Sequence, residues 1–113
     1  MTLFNPGQVV QQQQQAQYSN AGTVTEFALT TTTTTIVPDR TAAKNRKGLE
    51  IFNDGTANAL LAHGTSISAT IFTAEILPGG YYEISSAAPW QGPIVMRSTS
   101  SPTNVNVTEL VLI

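Results

Sequence analysis

From Thr23 onward, apolar and polar residues alternate in short runs fenced by turn formers. Thr25, Phe27 and Leu29 fall on one face, the period of a half-buried strand. The β-branched run Thr30 to Thr35 and the following Ile36-Val37 favour extended structure. They predict a long strand, either an exposed edge or one inserted in an intersubunit sheet. Asp39 to Gly48 is expected as a loop. Beyond it Leu49 and Ile51 face one way, Glu50 and Phe52 the other. Asn53-Asp54-Gly55 is a hairpin-type signal, since these residues tolerate positive φ. Ala59 to His63 reads as the next strand. Ile67 to Leu77 has apolar residues in both phases, which predicts burial on two sides or a bulge. Pro78-Gly79-Gly80 marks a turn, Tyr81 to Ile84 a strand, and Ser85 to Pro93 a loop around Trp90. Ile94 to Arg97 is a strand and Ser98 to Pro102 a turn. Val105 to Ile113 closes the chain, with Val105 and Val107 on one face and Leu110 and Leu112 on the other. The phase slips near Thr108-Glu109, again predicting a bulge or two buried faces.

Seven to eight strands at about ten-residue spacing define an all-β chain. The expected architecture is a single antiparallel β-sandwich or barrel-like domain over residues 23–113. Residues 1–22 read separately, as an N-terminal Gln-rich arm. Asn5 and Pro6 can open a short helix, or the segment is an extended polar arm. With few apolar groups to join the β-core, the arm is expected to contact a neighbouring subunit.

Charged residues make up 11% of the chain, less than half the ~25% usual in soluble domains. Thr, Ser, Asn and Gln replace them, so surface enters an interface without the desolvation cost of charge. This suits a chain with neighbours; the alternative is a monomeric polar β-domain. A net charge of −2 gives no electrostatic drive toward nucleic acid or membrane. No apolar run approaches the ~20 residues that span a bilayer, and the start MTLFNPGQVV lacks the features of a signal peptide. There is no cysteine, hence no disulfide or thiolate metal site.

Candidate chemistry is thin. His63 is the single histidine and reads as a strand-end residue. Asp39 and Asp54 lack the dense oxygen ligands of a calcium loop. Glu75 and Glu83 would make a glycosidase-like pair only if they faced one another across the Pro-Gly-Gly turn. Gly79-Gly80 is followed by no helix start or Lys, so it is no phosphate loop. Tyr81, Tyr82 and Trp90 either seal the end of the core or bind a sugar or protein groove. Arg40, Lys44, Arg46 and Lys47 are four of the five cations. They form either a solvated loop or a contact with an acidic partner. No catalytic, cofactor-binding or metal residue is assigned, and no enzyme activity or cofactor is expected.

The stretch Lys47 to Leu110 reads KGLEIFNDGTANALLAHG, ILPGGYYEIS, WQGPIVMRSTS and VNVTEL. It resembles a small β-domain that recurs in tailed-bacteriophage virion proteins, especially head decoration (cement) and fibre proteins. The resemblance covers somewhat more than half the chain and excludes the arm and the Thr run. It implies a non-enzymatic virion component, in the first instance a capsid decoration protein that binds and stabilises the major capsid shell. Its partners would be the major capsid protein or other virion subunits, with no nucleic acid and no membrane. The low charge, the arm and the Thr-rich strand predict a homo-oligomer; a trimer would match the threefold positions of an icosahedral shell, with dimers and pentamers as alternatives. Its place would be the virion, on the capsid surface, after synthesis in the host cytoplasm. The alternatives are a tail, baseplate or fibre component, or a carbohydrate-binding β-module.

Overall fold

A computed structural model describes residues 23–42, 45–85 and 87–111. The N-terminal arm, with its helical or extended reading, lies outside them. Eight strands follow in order: β1 (Thr23–Leu29), β2 (Thr34–Val37), β3 (Arg46–Asn53), β4 (Ala59–His63), β5 (Ala74–Ile76), β6 (Tyr81–Glu83), β7 (Ile94–Ser98) and β8 (Thr103–Val111). They form two four-stranded sheets, β1-β8-β3-β6 and β2-β7-β4-β5. Every pairing is antiparallel. The expected all-β sandwich is present and no barrel closes. Every connection except β4–β5 crosses between sheets, and this strand order is that of an eight-stranded jelly roll.

Alternation builds the core in β3 and in β8 as far as Val107, while β4 and β7 bury residues of both phases. Leu49, Ile51, Val105 and Val107 point inward from the first sheet, and Ala59, Leu61, Ile94 and Met96 answer from the second. Glu50 and Phe52 face outward, as the β3 pattern predicts. Burying one such aliphatic side chain contributes about 1.5–3 kcal/mol.

The crossing topology explains where the strand readings fail. The Thr run is not a long strand: only Thr34 and Thr35 enter β2. Residues 30–33 turn the chain from one sheet to the other, with the Thr32 amide donating to Thr30 Oγ1 at 3.2 Å and the Ser98 amide to the Thr30 carbonyl at 2.8 Å. Threonine hydroxyls that bond locally compete with the ladder.

Asn53-Asp54-Gly55 closes no hairpin, since β3 and β4 lie in different sheets. Asn53 is fully buried. Its Nδ2 donates to the carbonyls of Ala57 and Ile76, both at 2.8 Å. Its Oδ1 accepts from the Gly55 amide at 3.0 Å and from Thr103 Oγ1 at 2.9 Å. Gly55 is required by proximity and not by φ: a Cβ there would sit 1.9 Å from Thr103 Oγ1. Pro78-Gly79-Gly80 does turn the chain, with Gly79 at φ 77°, but it too passes between sheets.

Residues 67–73 form no strand. The Ser68 amide donates to the Ile71 carbonyl at 3.0 Å, while Ser68 Oγ accepts from the amides of Thr70 and Ile71 at 3.3 and 2.9 Å. Ile71 is 76% exposed, so the apolar residues in both phases reflect a loop and not double burial. Only Ala74–Ile76 pairs, with β4.

The supposed slip at Thr108-Glu109 does not occur. β8 pairs regularly with β1 from Thr103 to Glu109, so Glu109 continues the inward phase of Val105 and Val107. The irregularity is across from it, between Arg46 and Gly48 of β3. The Asp39–Gly48 loop therefore ends earlier than expected, at Asn45, and Arg46, Lys47 and Gly48 belong to β3.

Candidate functional site

The loops β2–β3, β4–β5 and β6–β7 gather at the end of the sandwich where β1 begins and β8 ends. Arg46 holds this end together from inside, being fully buried. Its Nε donates to Glu109 Oε2 at 2.8 Å. Nη2 donates to the Pro38 carbonyl at 2.8 Å, and Nη1 to the carbonyls of Gly92, at 3.1 Å, and Trp90. Arg40 adds a two-pronged contact to the same carboxylate, Nη2 to Oε1 at 2.9 Å and Nε to Oε2 at 3.2 Å. A guanidinium is suited to this because its donors form a rigid planar fork. Gln91 completes the tie: its Oε1 accepts from the Arg46 amide and its Nε2 donates to the Arg46 carbonyl at 2.8 Å. Burial pushes the Glu109 carboxyl up, and the hydrogen bonds from Arg40 and Arg46 outweigh it, so its pKa lies below the ordinary value.

The expected cationic loop is thereby corrected. Arg46 is core, Arg40 is half-buried on Glu109, and Lys47 is half-buried in β3. Lys44 lies outside the described residues. An inward glutamate is satisfied by the very arginines that the sequence offers to an acidic partner.

The loop that Arg46 anchors carries Trp90. Its Nε1 donates to the Pro93 carbonyl at 2.9 Å, and Gly92 packs so closely that a Cβ there would meet the indole at 2.5 Å. The ring stacks on His63, with centroids 5.4 Å apart and planes 8° apart. Tyr82 reaches across from the first sheet, its hydroxyl 3.3 Å from His63 Nε2. Burial, then the positive charge of Arg46, lower the His63 pKa, so the imidazole is neutral at pH 7. His63 ends β4 as expected. It is a bridge between sheets: Tyr82 packs against the core beside it, and Trp90, 40% exposed, covers its ring from the loop.

Tyr81 does not join that cluster. It is 57% exposed on the outer face of the first sheet, whereas Tyr82 packs against the core. The three aromatics therefore form no common sugar platform. Glu75 and Glu83 do not face one another either. Glu75 lies in the second sheet and accepts from Asn58 Nδ2 at 2.8 Å; Glu83 lies in the first, opposite Glu50. Asp39 is exposed and accepts from the Thr41 amide at 2.9 Å. Among the described residues no group of three or more His, Asp or Glu side chains could hold a metal ion.

Sequence reasoning passed over Gln91, Glu109 and Asn53. Glu109 had a signal, its shared phase with Val105 and Val107. Asn53 had one in its position at a strand end before Asp-Gly. Gln91 had none.

Outside this scaffold, the described surface offers one broad sheet face. The outer side of β1-β8-β3-β6 exposes Val24, Phe52, Tyr81 and Leu110 among Glu26, Glu50, Glu83 and Asn104. Comparison with protein-family models, curated proteins and solved structures gives no match to this chain.

Proposed function

We propose that this chain is a non-enzymatic structural subunit of a tailed-phage particle, a capsid decoration protein that binds and stabilises the major capsid shell. One observation carries the reading. Arg40, Arg46, Gln91 and Glu109 are committed to holding the loops, while a sheet face with four large apolar side chains stays open. A sheet face of mixed apolar and polar side chains suits protein docking better than capture of a small molecule, which needs a concave pocket. The resemblance of Lys47–Leu110 to phage head and fibre domains supports the same reading. So does the strand order, since jelly rolls recur in viral capsid proteins as well as in lectins and cupins. Architecture alone assigns no function, so the open face carries the weight.

The partners are then the shell protein and further copies of this chain, with a trimer matching threefold shell positions. A low-resolution map of the particle with this chain labelled tests the proposal. Label on the outer head surface is expected. Label on the tail or baseplate selects that location instead, and binding of the free chain to a glycan array without label on any particle overturns the reading.

A further inference from the structure

Strand register lays two rows across the open face of the first sheet. One holds Glu26, Asn106, Phe52 and Tyr81; the next holds Val24, Thr108, Glu50 and Glu83. Phe52 and Tyr81 are direct cross-strand partners, 41% and 57% exposed. Beside them Glu50 and Glu83 are also direct partners. Like charges set opposite one another destabilise a sheet. The rows contain three carboxylates and no cation. The face thus places an exposed aromatic pair beside an acidic pair.

We propose that this face docks an arginine-bearing surface of a partner protein, with a guanidinium lying over Phe52 and Tyr81 and donating to Glu50 and Glu83. Arginine fits both halves of the site. Its plane stacks on aromatic rings, and its paired N–H groups match a carboxylate, while lysine offers only a point charge. Bringing a cation here also relieves the Glu50–Glu83 repulsion, so binding is favoured beyond the contact itself. A second copy of this chain does not supply the group. All three of its arginines are engaged internally, Arg40 and Arg46 on Glu109 and Arg97 on the carbonyls of Ser98 and Thr99. The occupant is therefore a different polypeptide. The sign is opposite to the one the loop cations suggest: the basic member of the contact is the partner.

This deepens the docking reading above and rests on it for the existence of a partner, but its chemistry is testable without any particle. Amide resonances of the full chain are followed while a blocked Arg-Gly-Arg-Gly-Arg peptide, its lysine counterpart, or calcium chloride is added. Shifts on residues 50–52, 81–83 and 106 are expected with the arginine peptide, weaker ones with lysine. Glu50→Gln with Glu83→Gln should weaken arginine-peptide binding about five- to tenfold, in line with two partly screened ion pairs. Tyr81→Ser should weaken it separately. Both variants alter exposed positions, and unchanged resonances elsewhere verify the fold. Shifts centred on the Trp90 loop, no shifts, equal binding by the double glutamine variant, or calcium acting at lower concentration than the peptide would each overturn the assignment. If the peptide binds but phage heads do not, the virion reading fails and the face stands. If heads bind wild type and the double variant equally, the face fails and the virion reading stands.

Discussion

Arg46 and Glu109 meet at 2.8 Å on the inner side of the first sheet, joining the start of β3 to the end of β8. Removing Glu109 leaves Arg46 buried without its counter-charge. Glu109→Ala should therefore cost about 3–5 kcal/mol in urea unfolding. Arg40→Ala, at the more exposed end of the same network, should cost no more than about 1 kcal/mol. Replacing Arg46 by Met together with Glu109 by Leu should not restore stability, since the carbonyls of Pro38, Trp90 and Gly92 lose their donor.

The same network sets an acid limit. The Glu109 pKa is lower folded than its ordinary 4.5, so the unfolded chain binds the proton first. Its contribution is complete above pH 4.5 and disappears as pH falls through the lower folded value. His63 acts with the same sign, since its folded pKa lies below 6.5 and acid favours the unfolded, protonated form. Stability should therefore decline as pH drops below 6.5 and again below 4.5. His63→Gln should remove the first decline and Glu109→Gln should reduce the second, both read from unfolding midpoints at fixed salt.

Trp90 gives a direct view of the histidine. It is the only tryptophan in the chain and it stacks on His63, so its emission should change as the imidazole charges. The midpoint of that change should lie below 6.5 and vanish in His63→Gln. A midpoint at or above 6.5 would mean that the stacked, half-buried geometry does not hold in solution.

Ser98 Oγ is buried with no hydrogen-bond partner. An unsatisfied hydroxyl costs about 1–3 kcal/mol, so Ser98→Ala should raise stability by about 1 kcal/mol. Asn53→Ala should do the opposite and lose about 1–3 kcal/mol, because it strands the Ile76 carbonyl and Thr103 Oγ1. Thermal unfolding of the two variants, compared with wild type, separates these outcomes by sign.

Alternation made much of the fold legible. Ala59 to His63 is a strand with the bounds read from the pattern, and the inward phases of Leu49, Ile51, Val105 and Val107 are those of the core. What the pattern hides is sheet membership. A hairpin and a sheet-crossing turn use the same Asn, Asp, Gly and Thr residues, so Asn53-Asp54-Gly55 and the Thr run suggested the wrong connections. The inward place of Glu109 is hidden in the sequence because charge normally marks the outer face. Only the arginines brought in from Arg40 and Arg46 make it an inner residue, and they lie more than sixty positions away in sequence. The open face of the first sheet was illegible for a related reason. Glu50, Glu83, Phe52 and Tyr81 become neighbours only once β6 is set beside β3.

The central claim is that this chain is an attachment subunit of a phage shell. Co-sedimentation of the purified full chain with separated heads and tails of the phage proposed to carry it tests this most directly, alongside a chain beginning at Thr23. The account predicts that the full chain pellets with heads to a saturating ratio. The shortened chain should keep its far-UV circular dichroism but bind heads poorly, as expected if residues 1–22 contact a neighbouring subunit. A full chain that stays in the supernatant with heads and tails alike would contradict the claim.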